Sequence, residues 1–151
     1  MANFRFRDDA RVWFADVKTK YDFDLFYNCL IVGLAVGRQS EPKAVTSTDM
    51  VGHFIESYKP AQSLIIGLLI MAELKFAGIN LNERNEVRSV IGDLVTPKSV
   101  TNLTDKGVHC LNLYASSGFE FLRDNMPKPS SIENFMLRYT EIMSSIEVPM
   151  T

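Results

Sequence analysis

Cys29, His53, Glu73, His109 and Cys110 are the residues whose side chains could do chemistry in this chain. A structural zinc site needs about four thiolate or imidazole ligands at close spacing. There is no Cys-x-x-Cys and no His-x-x-x-His, and the adjacent pair His109 and Cys110 would point roughly 100° apart on a helix. No metal site is expected. A thiol nucleophile needs a base beside it. Cys110 and His53 could form such a dyad, but nothing in their spacing brings them together, and a cysteine among apolar helical residues more often packs. Glu73 closes the apolar run Leu64 to Ala72, with Lys75 two residues on. A carboxylate so placed either has a raised pKa suited to acid–base work or makes a polar contact with a neighbouring helix, and the contact is favoured. Gly33 and Gly37 lack the Lys-Ser/Thr tail of a phosphate loop and the Gly-x-Gly-x-x-Gly of a dinucleotide fold. With Gly67 they read as small residues that let helices cross closely. No catalytic residue and no cofactor is expected.

Charge narrows the class further. Sixteen basic against eighteen acidic residues give a net charge of −2 over 151 residues. That excludes a surface built throughout to coat nucleic acid, because such binding is driven by excess Lys and Arg. The local candidates for nucleic-acid contact are Arg5, Arg7, Arg11, Lys18 and Lys20, and Asp8, Asp9 and Asp16 interleave with them. Cys29 and Cys110 are too few and too far apart for a disulfide framework, so buried free thiols in a reducing compartment are expected. No apolar stretch follows the charges of the first residues, and the greasiest runs, 29–36 and 64–72, fall short of the ~20 residues of a membrane helix. Both read as core helices of a cytoplasmic protein with no membrane partner.

The elements that would position these residues are helical. Ala10, Trp13, Phe14, Val17 and Tyr21 lay one stripe along a first helix, with Asp8, Arg11, Lys18 and Lys20 opposite. Asp22 to Val36 is apolar nearly all round and belongs in the middle of a fold, stopping at Gly37. Arg38 to Thr46, with Pro42, reads as a loop. Ser47, Thr48 and Asp49 offer N-caps for a short helix through Met50, Phe54 and Tyr58. Pro60 suits the first turn of the next helix, which ends at Gly78. Asn82 caps another, with Val87, Val90, Ile91 and Leu94 on its buried side. Glu83, Arg84, Glu86 and Arg88 read as its solvated face, paired at i,i+4.

Val108, Leu111, Ala115, Phe119 and Leu122 mark a further helix, ending near Asn125. It carries Ser116-Ser117-Gly118 in its middle, which local propensity disfavours and close packing against another helix would explain. Ser130 with Glu133 is a capping-box pattern that opens the most regular amphipathic helix, with Ile132, Phe135, Met136, Tyr139, Ile142, Met143 and Ile146 on one face. Strand signals are confined to 45–48 and 95–103, enough for one short hairpin. The fold class is therefore all-α, one bundle of six or seven helices over 1–151, with 130–147 a C-terminal amphipathic helix.

Two blocks carry a family resemblance. The apolar run Phe26-Tyr27-Asn28-Cys29-Leu30-Ile31-Val32-Gly33-Leu34-Ala35-Val36 followed by Gly37-Arg38 resembles an element of small helical accessory proteins associated with prokaryotic DNA phosphorothioation (Dnd-type) antiviral defence loci. The segment Leu111-Asn112-Leu113-Tyr114-Ala115-Ser116-Ser117-Gly118-Phe119-Glu120-Phe121-Leu122 is similar to a later block of the same proteins, and order and spacing agree. The resemblance implies an accessory protein acting with larger nuclease or ATPase subunits, and it transfers no catalytic residue.

These readings point to a non-catalytic accessory or adaptor subunit that acts through protein partners, with self-association allowed. Phe135, Met136, Tyr139 and Met143 of the terminal helix are the candidate partner-binding residues, since an amphipathic helix can fill a partner's groove and methionine adapts to varied surfaces. The alternative is a DNA-binding accessory or regulator using the N-terminal basic residues. No helix offers several Arg, Asn or Gln on one face for base reading. An enzyme using Cys110, His53 and Glu73 is the third and least favoured class.

Overall fold

The structure is a computed structural model and describes residues 2–40 and 46–146. Pro42 and Val45 of the expected loop and strand, the end of the expected terminal helix at 147, and Met150 lie outside the described residues.

Two helices form the axis. α2 (Asp22–Val36) and α5 (Asp105–Asn125) pack along each other more extensively than any other pair of elements. Their apolar patterns dictate this. α2 buries Phe23, Leu25, Phe26, Cys29, Leu30, Val32 and Gly33, and α5 buries Val108, Leu111, Tyr114, Ala115, Phe119 and Leu122. At the crossing the backbones touch. A Cβ on Gly33 would stand 1.8 Å from the Tyr114 carbonyl oxygen, and one on Gly118 would stand 1.7 Å from that of Cys29. The mid-helix Ser-Ser-Gly is thereby explained as packing within the fold. Any larger residue at Gly118 would force the helices apart, a cost that outweighs the gain in helix propensity. α2 ends as its sequence requires, with Gly37 in the left-handed conformation at φ 75°.

The N-terminal segment departs from the expected first helix. Arg5–Arg7 form a strand, β1, paired antiparallel with β2 (Ser47–Asp49), and α1 covers only Asp8–Trp13. Phe14 and Val17 are buried all the same, as part of the turn that follows. The helix starts where expected, with Asp8 accepting hydrogen bonds from the Thr46 and Thr48 hydroxyls, and stops at Trp13, short of Tyr21. Ser47, Thr48 and Asp49 accordingly do not cap a helix. A 3₁₀ turn follows only at Glu56–Ala61, with Pro60 inside it. The second strand signal yields a single antiparallel bridge, Val95 to Leu103, so the two pieces pair separately and not with each other.

α3 (Gln62–Phe76) and α4 (Arg84–Leu94) pack on each other at one side of the axis, and α6 (Ile132–Ser145) closes the opposite end of the sequence. The cap of α6 lies one residue later than the expected Ser130–Glu133 box. Ser131 Oγ accepts from the Asn134 amide at 3.1 Å, and the Asn134 side chain accepts from the Ser130 amide. Aromatic side chains fill the core between these layers. Phe4, Phe23, Phe26 and Phe54 form one group, and Phe14 meets Trp13, Phe119 and Phe135 in another.

Candidate interaction surface

The outer side of α3 is the feature of the molecule that packing leaves unexplained. Gln62 to Ala72 contains no ionisable residue. Ile65, Leu69, Ala72 and Leu74 turn inward, which leaves Leu64, Gly67, Leu68 and Met71, one helical stripe, facing solvent. The stripe is wide open: Leu64 is 61%, Leu68 38% and Met71 51% exposed. Phe76, Leu81 and Ile91, at the α3–α4 corner and on α4, add 66%, 64% and 37%. At roughly 200 Å² for a large apolar side chain, the three stripe residues Leu64, Leu68 and Met71 leave on the order of 300 Å² of apolar surface. The expectation that 64–72 is a core helix is corrected here. A helix with no polar face needs neighbours all round to bury it, and α3 has them on one side only.

Two related expectations also change. Among the described residues no helix crosses α3 at Gly67, since a Cβ there would meet nothing within 4 Å. Along α4 only Leu94 is buried, while Val87 and Val90 are half-covered and Ile91 is exposed. The i,i+4 ion pairs expected among Glu83, Arg84, Glu86 and Arg88 do not form. Glu83 accepts instead from the Asn80 amide at 2.7 Å.

The terminal helix offers less to a partner than its stripe suggests. Phe135 is fully buried against Phe14 and Tyr139, and Tyr139 donates its hydroxyl to the Asn28 carbonyl at 3.1 Å. Met143 packs partly buried on the core. Of the four candidates only Met136 is exposed, beside Leu137. The stripe of α6 is spent on its own fold.

The N-terminal basic residues are similarly engaged. Arg7 is buried and forked between two carboxylates, Asp9 at 2.7 Å and Glu120 at 2.6 Å, with Ser116 Oγ at 3.0 Å and the Phe119 ring beneath. Burial works to lower its pKa, but the hydrogen bonds and charges of Asp9 and Glu120 outweigh that and raise it. Glu120 also accepts from Ser40 Oγ at 2.9 Å. Burial pushes its carboxyl upward, and the hydrogen bonds from Arg7 and Ser40, with the nearby arginine charges, hold it below the ordinary value. Arg5 pairs with Asp49 and Arg11 with Asp22, while Lys18 donates to the Ala15 carbonyl and Lys20 lies over the Tyr21 ring. The three arginines are thus paired with carboxylates, Lys18 and Lys20 stay exposed without an ion pair among the described residues, and Arg7 has no surface with which to meet a phosphate.

The remaining chemistry-bearing residues gather only in part. The Gln39 amide donates to Glu73, the polar contact favoured for that carboxylate. Nearby, Cys110 and Tyr114 are buried, and among the described residues the Tyr114 hydroxyl has no hydrogen-bond partner. Burial, and then the Glu73 charge, push the Cys110 thiol up to about 11 and the Tyr114 phenol up as well. Burial raises the Cys29 thiol too. His53 and His109 are exposed. Among the described residues no three His, Cys, Asp or Glu side chains come together to hold a metal ion, and no helix is long and apolar enough to cross a membrane.

No family model, curated protein or solved structure matches the chain.

Proposed function

We propose that this chain acts by binding protein through the apolar face of α3 and the adjoining α3–α4 corner, as a non-catalytic accessory or adaptor subunit. The carrying observation is that face: a helical run, Gln62 to Ala72, without an ionisable residue and with bulky side chains in water, on a molecule whose axis helices α2 and α5 are well buried. Leaving apolar side chains of this size in water is unfavourable by about 25 cal/mol per Å², and a partner that covers them recovers that free energy. The same reading moves the docking surface from α6 to α3, because α6 uses Phe135 and Ile142 to hold the fold. It also fits a Cys110 thiol that faces a carboxylate and stays protonated at neutral pH, an unsuitable nucleophile. The biological setting we propose, a cytoplasmic part in bacterial antiviral defence beside larger nuclease or ATPase subunits, is supported by the resemblance of 26–38 and 111–122 to proteins of DNA phosphorothioation loci.

The test is recovery of companions from the native host. Tagged wild-type chain and a Leu64→Glu/Leu68→Glu variant are purified at natural expression levels and compared by quantitative mass spectrometry, with untagged copies of the chain counted alongside other proteins. At least one companion in near-stoichiometric amount, lost with the variant, is expected. Equal recovery by both forms sinks the reading.

A further inference from the structure

α6 carries its own polar support and few ties to the body. Ser131 Oγ accepts from the Asn134 amide, and the Thr140, Ser144 and Ser145 hydroxyls donate to carbonyls of α6 itself. Its ion pair, Arg138 with Glu141, is internal too. Among the described residues one hydrogen bond joins α6 to another element, from the Tyr139 hydroxyl to the Asn28 carbonyl of α2, and no ion pair does. It buries two residues, Phe135 and Ile142, where α2 buries seven and α5 eleven. We propose that α6 is a latch, which lifts from the body as one cooperative unit while the α2–α5 axis stays folded, and in lifting uncovers Phe14 and Cys29.

Other weakly buried parts of the fold are fastened by polar groups. The Ala2 and Arg5 amides donate to Asp105 and Asn112 of α5, and the Arg7 guanidinium is fixed to Ser116 and Glu120. α4 buries less than α6, Leu94 alone, yet the Thr104 amide and hydroxyl donate to its Leu94 and Asp93 carbonyls. α6 is held by apolar contact and a single hydrogen bond, and local opening draws on regions held in this way. Pro127 and Pro129 stand between α5 and α6 and interrupt the helical run, so α6 can part without disturbing α5.

What α6 covers is also defined. The Phe135 ring lies on Phe14 with centroids 5.2 Å apart. Tyr139 reaches the carbonyl one residue before Cys29. Burial, and then charge at Cys29, push the Tyr139 phenol up, which makes the two side chains neighbours. Cys29 is fully buried. The second thiol, Cys110, belongs to another region, beside Glu73 of α3. Opening frees the stripe of Phe135, Tyr139, Ile142 and Met143, which the closed molecule spends on its own core. It requires no partner on α3 and is independent of the docking role of that face.

Hydrogen exchange and iodoacetamide labelling of the full chain at neutral pH, over a urea series, test the latch, with the two cysteines followed separately by mass spectrometry. Below the global transition the α6 amides are expected to exchange as a group and Cys29 to become labelled, while α5 amides and Cys110 stay protected. Tyr139→Phe keeps the ring and deletes the hydrogen bond, and should speed both α6 exchange and early Cys29 labelling about two- to tenfold. Thr104→Ala weakens the body far from α6. It should lower the urea midpoint of global unfolding and leave early Cys29 labelling unchanged, because the open and closed forms lose the same contact. Equal protection of α6 and α5, with both thiols reacting only in the global transition, overturns the latch. Early labelling of Cys29 under a protected α6 overturns it as well, as does an open α6 that leaves Cys29 unlabelled.

Discussion

Gly33 and Gly118 sit in each other's side-chain space: a Cβ on Gly118 would come within 2.8 Å of the Gly33 amide nitrogen, and one on Gly33 within 3.2 Å of the Gly118 nitrogen. The contact is backbone to backbone, so no rotamer change can relieve an added methyl. Gly118→Ala and Gly33→Ala are each expected to destabilise the fold by about 3 kcal/mol, the upper part of the range for overpacked sites. Urea denaturation followed by circular dichroism measures this. A loss below ~1 kcal/mol at both positions would mean that the two helices do not meet this closely.

Arg7 ties the N-terminal strand to the middle of α5 through Glu120 and Ser116. Removing it leaves Glu120 and Asp9 without their buried counter-charge. Arg7→Ala is expected to cost about 3–5 kcal/mol, as for other buried pairs broken from one side. Arg7→Lys should recover only part of this, since an ammonium cannot fork between two carboxylates. Denaturant melts of the three proteins decide it.

The same pair makes stability depend on pH. The Glu120 carboxyl is held below its ordinary value of 4.5 in the folded chain, so the unfolded chain takes up the proton first. Its contribution is fully present above the ordinary value and is lost as the pH falls through the lower, folded one. Asp8, held down by the Thr46 and Thr48 hydroxyls, acts in the same direction. Wild-type melting temperature should therefore drop steeply on acidification below 4.5. Glu120→Gln should be less stable at neutral pH and show a shallower acid slope; identical slopes for the two proteins would rule out the pair as the source.

Cys110 and Cys29 should resist alkylation in the folded state. Both are buried, and the Cys110 thiol titrates only near 11. Iodoacetamide at neutral pH is expected to label neither until denaturant is added, after which both react. Fast labelling of Cys110 in the native protein would reveal an exposed, activated thiol and would reopen the enzyme reading.

On α6, Phe135→Ala and Met136→Ala separate packing from docking. Phe135 is fully buried and its truncation should cost about 3–5 kcal/mol. Met136 is 42% exposed, and its truncation should change stability by no more than about 0.5 kcal/mol. Thermal or urea melts of both variants check the contrast.

The sequence by itself determined where most helices lie and which faces of the well-patterned ones turn inward. Val108, Leu111, Ala115, Phe119 and Leu122 repeat at helical spacing and all are buried, because a stripe of one phase leaves a helix a single way to face the core. Gly37 and Gly78 stop their helices in the left-handed conformation, a choice local sterics make alone. The axis helix α2 was legible for a similar reason, having almost no face that water could take. Only the tertiary structure decided the rest. α2 and α3 are both apolar nearly all round, so their sequences carry no phase, and position in the bundle alone makes one central and leaves the other half in water. Pairing of Arg5–Arg7 with Ser47–Asp49 joins residues some forty positions apart, which no local pattern encodes. The fates of Arg7 and Phe135 were settled likewise, by what stood opposite them once the chain had closed: Glu120 and Asp9 in one case, Phe14 in the other.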